Sequence, residues 1–153
     1  MASWVPGAAG SGFDDDHLPY GVFDAGRGRR VGVRIGSSVL DLAAVADTPE
    51  LVGTLAAGTL DPLLAAGPAI WAAARTLAQR SVTDPARRTL VESHLHPVES
   101  VRLLLPFTVA DYVDFYASQW HATAVGRMFR PDADPLPPNW THLPIGRWVQ
   151  LGG

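Results

Sequence analysis

Side chains that could do chemistry are concentrated in the twenty residues from Asp111 to Arg130. This stretch holds two carboxylates, two tyrosines, one histidine and two arginines. His121 suits general-base catalysis, because a neutral imidazole can take a proton from water near pH 7. Asp114 offers a hard oxygen ligand for calcium or magnesium. The stretch therefore predicts an acid–base and metal site.

A helix that begins after Ser118 would position part of this chemistry. With a serine at the N-cap, His121 takes the third helical position, where the positive helix dipole favours the neutral imidazole. Arg127 and Arg130 come at the C-terminal end, where positive charge is favoured. Gly126 allows another backbone to pack closely against the helix.

Tyr116 and Arg130 are the residues expected to hold an anionic substrate, the arginine through paired N–H donors. One carboxylate does not make a calcium site, which needs six or more oxygen ligands, so other carboxylates must join Asp114. The alternative is a structural helix with aromatic core residues, one satisfied histidine and a surface arginine. Composition alone favours this alternative.

The composition of the whole chain limits its other functions. Its 153 residues suit one domain, or a small domain with a fragment of another. A net charge of −3 gives no basic surface for nucleic acid. There is no cysteine and no lysine, which excludes thiolate and Schiff-base chemistry. Without an apolar run of about 20 residues or a signal peptide, we expect a cytoplasmic protein that does not bind membranes.

The first forty residues predict a lead-in followed by a small β structure. Residues 1–17 are rich in Gly, Ala, Ser and Asp, which predicts a flexible segment. Strands are predicted at 18–23, 29–35 and 39–42, joined by glycine-rich turns. Three short strands with tight turns are typical of a small antiparallel barrel or sheet.

Helices dominate the next part of the chain. Short helices rich in alanine and leucine are predicted at 41–46, 49–57 and 61–66, and a longer one at 67–81. A further helix starts at the Asp84 cap and runs to about Leu95. His94 and His96 would point apart on a helix, which disfavours a metal pair.

A new strand marks the end of the helical region. The apolar run 101–106 is bounded by proline and predicts a strand buried on both faces. The change from helix to strand predicts a domain boundary between residues 97 and 107.

The stretch from Asp111 to Arg130 closely resembles the fumarylacetoacetase family, whose members carry Asp-Tyr-x-Asp-Phe-Tyr-x-Ser-x-x-His-Ala-Thr-x-x-Gly-x-Met-Phe-Arg. Every fixed position is present here, and the match continues over 138–146. Upstream, 18–23 and 35–42 resemble the family's N-terminal domain.

The resemblance implies an α+β, mostly β chain with two parts. An SH3-like N-terminal barrel with accessory helices would span 18–106, and the start of a mixed β-roll catalytic domain would span 107–146. The implied reaction is hydrolysis of a carbon–carbon bond in 4-fumarylacetoacetate, giving fumarate and acetoacetate in tyrosine and phenylalanine breakdown. The substrate is thus a small diketo acid, the cofactor Ca²⁺ or Mg²⁺, and the expected assembly a homodimer.

The resemblance also implies roles by position. Asp114 resembles the family's first calcium ligand, and His121 resembles the general base that activates the attacking water. Tyr116 and Arg130 resemble contacts of the substrate carboxylates.

After Gly146 the sequence departs from the family, which continues with Tyr-His-Gly-Arg-Ala-Ser. Residues 147–153 form a divergent tail. The resemblance implies that further catalytic groups lie downstream of this point in family members. They are the other calcium carboxylates, the group that orients the histidine and the groups that stabilise the leaving carbanion. We therefore expect a fragment that is inactive alone, produced by a frameshift, a premature stop or an error in the gene model. The alternatives are a non-catalytic SH3-like interaction module and a truncated product without function.

Overall fold

The structure, a computed structural model, describes residues 2–115, 117–142 and 146–149. For residues 113–115, 139, 141 and 146–149 it describes the backbone alone. The chain folds as two units, of which the first ends at Thr108 and the second begins at Val109. No helix in the described ranges is long and apolar enough to cross a membrane.

The first unit is built on an open antiparallel sheet. Its strands are β1 (Tyr20–Asp24), β2 (Arg29–Ile35), β3 (Ser38–Asp41), β4 (Leu95–Pro97) and β5 (Arg102–Leu104). Their order across the sheet is β4-β3-β2-β1-β5. The last two strands of this unit in the sequence, β4 and β5, therefore lie at its two edges. Together with the helices described next, this sheet confirms the predicted α+β class.

Besides short 3-10 helices at Pro85–Arg87 and Val98–Ser100, five α-helices accompany the sheet in the described part of this unit. They are α1 (Leu42–Val45), α2 (Pro49–Leu55), α3 (Asp61–Ala65), α4 (Pro68–Thr83) and α5 (Arg88–Glu92). Side chains cap the first two, because Asp41 accepts from the Ala44 N–H and Thr48 from the Leu51 N–H. Helices α2 and α4 begin with a proline. Proline suits the first turn of a helix, because a backbone N–H at that position would have no intrahelical acceptor.

The hydrophobic core joins the sheet to the helices. Val31, Val33 and Leu40 of the sheet lie in one cluster with Leu77 and Val82 of α4. Each of these five side chains is almost fully buried. Burial of this kind contributes about 1.5–3 kcal/mol for each large aliphatic side chain.

The N-terminal segment packs on this core, although its composition predicts a flexible lead-in. Val5 and Ala8 belong to the core cluster. The backbone N–H of Trp4 donates to the carbonyl of Val82 over 3.1 Å. The guanidinium of Arg75 donates to the carbonyls of residues 15–18, which holds the acidic part of the segment against α4.

Two predictions about this unit are wrong. The helix expected to reach Leu95 ends at Glu92, and β4 follows, with Leu95 paired to Leu40 of β3. Pairing with β3 satisfies the backbone N–H and C=O groups of this segment. His96 also disfavours a helical conformation, because a proline follows it. The strand expected to be buried on both faces is the edge strand β5, where Leu103 is 66% exposed.

Asp61 fixes the end of the unit. Its carboxylate accepts hydrogen bonds from the backbone N–H and the hydroxyl of Thr108, at 3.0 and 2.9 Å. Thr59 donates a further hydroxyl bond over 3.0 Å. The Thr108 N–H, followed by these hydroxyls, lowers the pKa of the Asp61 carboxyl below its ordinary value of 3.8.

Substitution of Gly32 tests the packing of the sheet. A Cβ at Gly32 would lie 2.5 Å from the Leu40 carbonyl oxygen and 2.7 Å from the Phe23 ring. We expect Gly32→Ala to lower the free energy of unfolding by about 2 kcal/mol or more, measured by urea denaturation. The matched control is Gly21→Ala, directly opposite Gly32 in the register, where a Cβ meets nothing within 4 Å. Equal losses in both variants would contradict this packing.

The Asp61 contacts predict a pH dependence of stability. Because the folded state lowers this pKa, the stabilisation is present above pH 3.8 and is lost as pH falls through the folded-state value. Asp61→Asn should therefore have a lower melting temperature than the parent at pH 7. This difference in melting temperature should become smaller as the pH falls. Glu99→Gln, at an exposed carboxylate, is the control. A gap that stays constant from pH 7 to pH 3 would contradict the role of the carboxylate charge.

Candidate functional site

The second unit carries the chemical stretch on one strand and one helix. Strand β6 (Tyr112–Phe115) pairs in antiparallel register with β7 (Gly146–Val149). Helix α6 (Gln119–Phe129) follows β6, and a short 3-10 helix covers Pro138–Thr141. Aromatic and β-branched residues dominate β6, which favours an extended backbone.

Asp114, the predicted metal ligand, is the third residue of β6. Its backbone lies opposite Arg147 of β7. Tyr116, a predicted substrate contact, lies outside the described residues. Among the residues that are described, no group of three His, Cys, Asp or Glu side chains could hold a metal ion.

His121 occupies the predicted position in the first turn of α6. Ser118 is the N-cap, and its hydroxyl oxygen accepts from the His121 backbone N–H over 3.4 Å. The His121 side chain is exposed. Helix α6 therefore begins with His121 in its first turn, at the positive end of the helix dipole, and the residue is exposed.

Gly126 allows the chain after α6 to fold back onto the helix. A Cβ built at Gly126 would lie 2.0 Å from the carbonyl oxygen of Pro135 and 2.7 Å from its carbonyl carbon. No side chain fits in this space, so the predicted close approach of a second backbone is confirmed. The backbone that approaches is that of Pro135.

Arg130 is held by the same contact. Its backbone N–H donates to the Gly126 carbonyl over 2.8 Å and ends the helix. Its guanidinium donates to the Pro135 carbonyl oxygen over 3.1 Å. One carbonyl thus packs on Gly126 and also orients the arginine side chain.

Arg130 borders an apolar cavity of about 300 Å³. The lining consists of Ala122, Val125, Gly126 and Phe129 of α6, then Arg130, and then Pro135, Leu136, Pro137 and Trp140. Arg130 is the one charged residue in the part of the lining that the structure describes. Such a cavity suits an organic acid, with carbon against the apolar wall and a carboxylate on the guanidinium.

The structure separates His121 from this cavity. His121 is not among the lining residues, and it lies at the opposite end of α6 from Arg130. Nine residues of helix correspond to about 13 Å along the axis.

Sequence reasoning missed the cavity and the exposed apolar surface of the helix. Trp120, Met128 and Phe129 are 88, 74 and 78% exposed. The purely structural alternative expects aromatic core residues on this helix, whereas Trp120 and Phe129 are exposed in the described residues. Gly126 followed nine residues later by a proline-rich turn is the sequence signal that could have indicated the cavity.

Comparison with known proteins gives a consistent result. A family profile described as "Fumarylacetoacetase N-terminal" matches residues 16–106. The chain is 38% identical to the fumarylacetoacetase of Dictyostelium discoideum, over 95% of this chain and 37% of that protein. It is also 38% identical to those of Bos taurus and Homo sapiens, over 94% of this chain and 38% of each relative. The chain therefore spans less than two fifths of the length of these curated relatives.

Substitution of Gly126 tests the geometry of the cavity. We expect Gly126→Ala to displace Pro135 and remove the Arg130 contact, because the carbonyl oxygen would lie 2.0 Å from the new Cβ. The indole NMR signal of Trp140, a lining residue, should shift. Gly53→Ala in helix α2, where a Cβ meets nothing within 4 Å, should leave that signal in place. An unchanged Trp140 signal in Gly126→Ala would contradict the close approach.

Proposed function

The chain belongs to the fumarylacetoacetase N-terminal family, and we propose that it forms the N-terminal part of a hydrolase acting on 4-fumarylacetoacetate. The reaction breaks a carbon–carbon bond and yields fumarate and acetoacetate, in tyrosine and phenylalanine breakdown. One observation carries the proposal: the complete motif from Asp111 to Arg130 lies on a chain that matches fumarylacetoacetases over 94–95% of its length.

Two side chains of α6 have roles that their positions support. His121 takes a proton from the attacking water, supported by its exposed position in the first turn of α6. Arg130 binds a substrate carboxylate, supported by its place at the edge of an apolar cavity. Tyr116 binds the same anionic substrate.

The residues that the structure describes do not by themselves fit a calcium ion. Calcium takes six to eight oxygen ligands, and Asp114 supplies at most two. The described residues contain no group of three candidate ligands. Hydrolysis of 4-fumarylacetoacetate would therefore require further carboxylates, and groups that stabilise the leaving carbanion, beyond those that the structure describes. We accordingly expect no turnover from the 153-residue polypeptide alone.

The finer architecture is part of the same proposal. The five-stranded sheet of the first unit supports an SH3-like domain with accessory helices. Strands β6 and β7 support the beginning of a mixed β-roll catalytic domain. The exposed apolar residues Trp120, Met128 and Phe129 give α6 a surface that the remainder of such a domain, or a second subunit of a homodimer, would cover.

Complementation tests this function. The 153-residue chain is mixed with the C-terminal portion of the Dictyostelium discoideum relative, and loss of substrate absorbance is followed with calcium present. We expect turnover from the mixture and none from either part. His121→Gln in the mixture should lower kcat by about 10²-fold or more, since it removes the base.

His17→Gln is the matched control, because His17 lies in the first unit and bonds to the Gly12 carbonyl. It should leave kcat within about twofold of the parent. Turnover by the 153-residue chain alone, or an active His121→Gln mixture, would refute the proposed division of the site.

A further inference from the structure

A second cavity, in the first unit, has a polar lining that the proposed reaction does not use. Its volume is about 570 Å³. The polar and charged members of its lining are Arg27, Arg30, Asp41, Ser93, His94 and His96. They come from the β1–β2 turn, from β2, from the end of β3 and from residues 93–96, which lead into β4 and include its His96. Four separate parts of the chain thus converge on one space.

The single carboxylate of this lining is already satisfied. Asp41 Oδ2 accepts from Arg30 Nε over 2.7 Å, and Oδ1 accepts from the Ala44 N–H over 3.1 Å. The side chain of Asp41 is 9% exposed. Two arginines face one carboxylate across the lining, so a positive charge remains before either histidine is protonated.

Arg30 is oriented with its terminal nitrogens unused. Its Nε bond to Asp41 fixes the plane of the guanidinium. Among the described residues, no hydrogen bond engages the two Nη groups, and the side chain is 36% exposed. A guanidinium with one edge fixed and donors left over is suited to bind a carboxylate or phosphate oxygen.

Arg27 is carried by a turn whose shape is fixed. Gly26 and Gly28 on either side have φ of +85° and +92°, which favours glycine. Asp24 Oδ1 accepts from both glycine N–H groups, at 2.8 and 3.1 Å. Within the described part of the chain, no hydrogen bond or ion pair engages the Arg27 side chain. Asp24 is not a lining residue, and its carboxylate is occupied by these N–H groups and by Arg102 at 3.4 Å.

The two histidines complete the lining without forming a metal site. The His96 ring packs on Phe23, with centroids 5.6 Å apart. Asp41 and the two histidines do not form a metal-binding group in the described structure. Imidazole N–H groups can instead donate to an anion. Phe23, Ala25 and Ala44 supply apolar wall for a carbon chain.

We propose that this cavity binds a small organic dianion, with one charged group on Arg30 and the other on Arg27. The charged groups are carboxylates or phosphoryl groups, since both accept paired N–H donors from arginine. The volume lies within the range of small-molecule sites, about 300–1,000 Å³. The site lies wholly in the first unit and is independent of the reaction proposed for the second.

Isothermal titration calorimetry of the 153-residue chain tests the site with three probes: succinate, inorganic phosphate and neutral succinamide. We expect saturable binding of succinate or phosphate and none of succinamide. The anion that binds more tightly identifies the charged group as a carboxylate or a phosphoryl group. Arg27→Gln should weaken binding about tenfold or more, the loss expected for a charged hydrogen bond.

Arg30→Lys provides a second variant, because it keeps a positive charge beside Asp41 but removes the Nη donors. It should also weaken binding about tenfold. Thermal unfolding of each variant checks folding, and Arg27→Gln decides the result if Arg30→Lys unfolds. The control is Arg88→Gln, outside the cavity and 53% exposed at its side chain, which should bind as the parent does. No saturable binding of either anion, or binding that survives Arg27→Gln unchanged, would overturn the proposal.

Discussion

Asp41 connects three elements of the first unit, two through its carboxylate and one through its backbone N–H. One oxygen accepts from Arg30 of β2, and the other caps α1 through the Ala44 N–H. The backbone N–H of the same residue donates to the His94 carbonyl, which attaches the segment before β4 to the end of β3. A charge this deeply buried is tolerated only when it is paired and hydrogen-bonded. The residue thus requires Arg30 beside it, the helix immediately after it and the His94 segment against it.

These requirements explain why the sheet and the cavity occur together. Once β3 ends at Asp41 and α1 begins, the chain passes through the helices and returns to pair β4 with β3. The segment that returns brings His94 and His96 next to Arg30. Removal of the Asp41 charge partner would therefore affect the fold and the polar cavity at once, which is the reason that Arg30→Lys keeps a cation in place.

In the second unit a backbone contact has the equivalent role. The carbonyl of Pro135 packs on Gly126 and accepts from Arg130, so the cavity wall and the Arg130 side chain depend on a single approach. His121 lies in the first turn of α6 and Arg130 is its C-cap, so the two side chains belong to opposite ends of the helix.

Local patterns predicted much of this from the sequence. Strand 29–35 has the expected bounds because its alternation and flanking glycines are local signals, and Ser118 caps α6 because its hydroxyl acts three residues away. Features that depend on distant partners were missed. Strand β4 exists because β3 offers an edge, and Val5 and Ala8 are buried because a core forms far along the chain. Of the site, the residue types and the place of His121 were predictable, whereas the cavity at Arg130 depends on a turn that folds back.

We propose that Asp114 and His121 act in one site together with carboxylates from outside the described residues. The calcium activation curve of the complemented enzyme, measured for the parent, Asp114→Asn and His121→Gln, tests this arrangement. We expect Asp114→Asn to raise the calcium concentration for half-maximal rate by about tenfold or more, because the site loses one ligand. We expect His121→Gln to lower the maximal rate and to leave that concentration unchanged. An Asp114→Asn curve that coincides with the parent's would rule out Asp114 as a ligand.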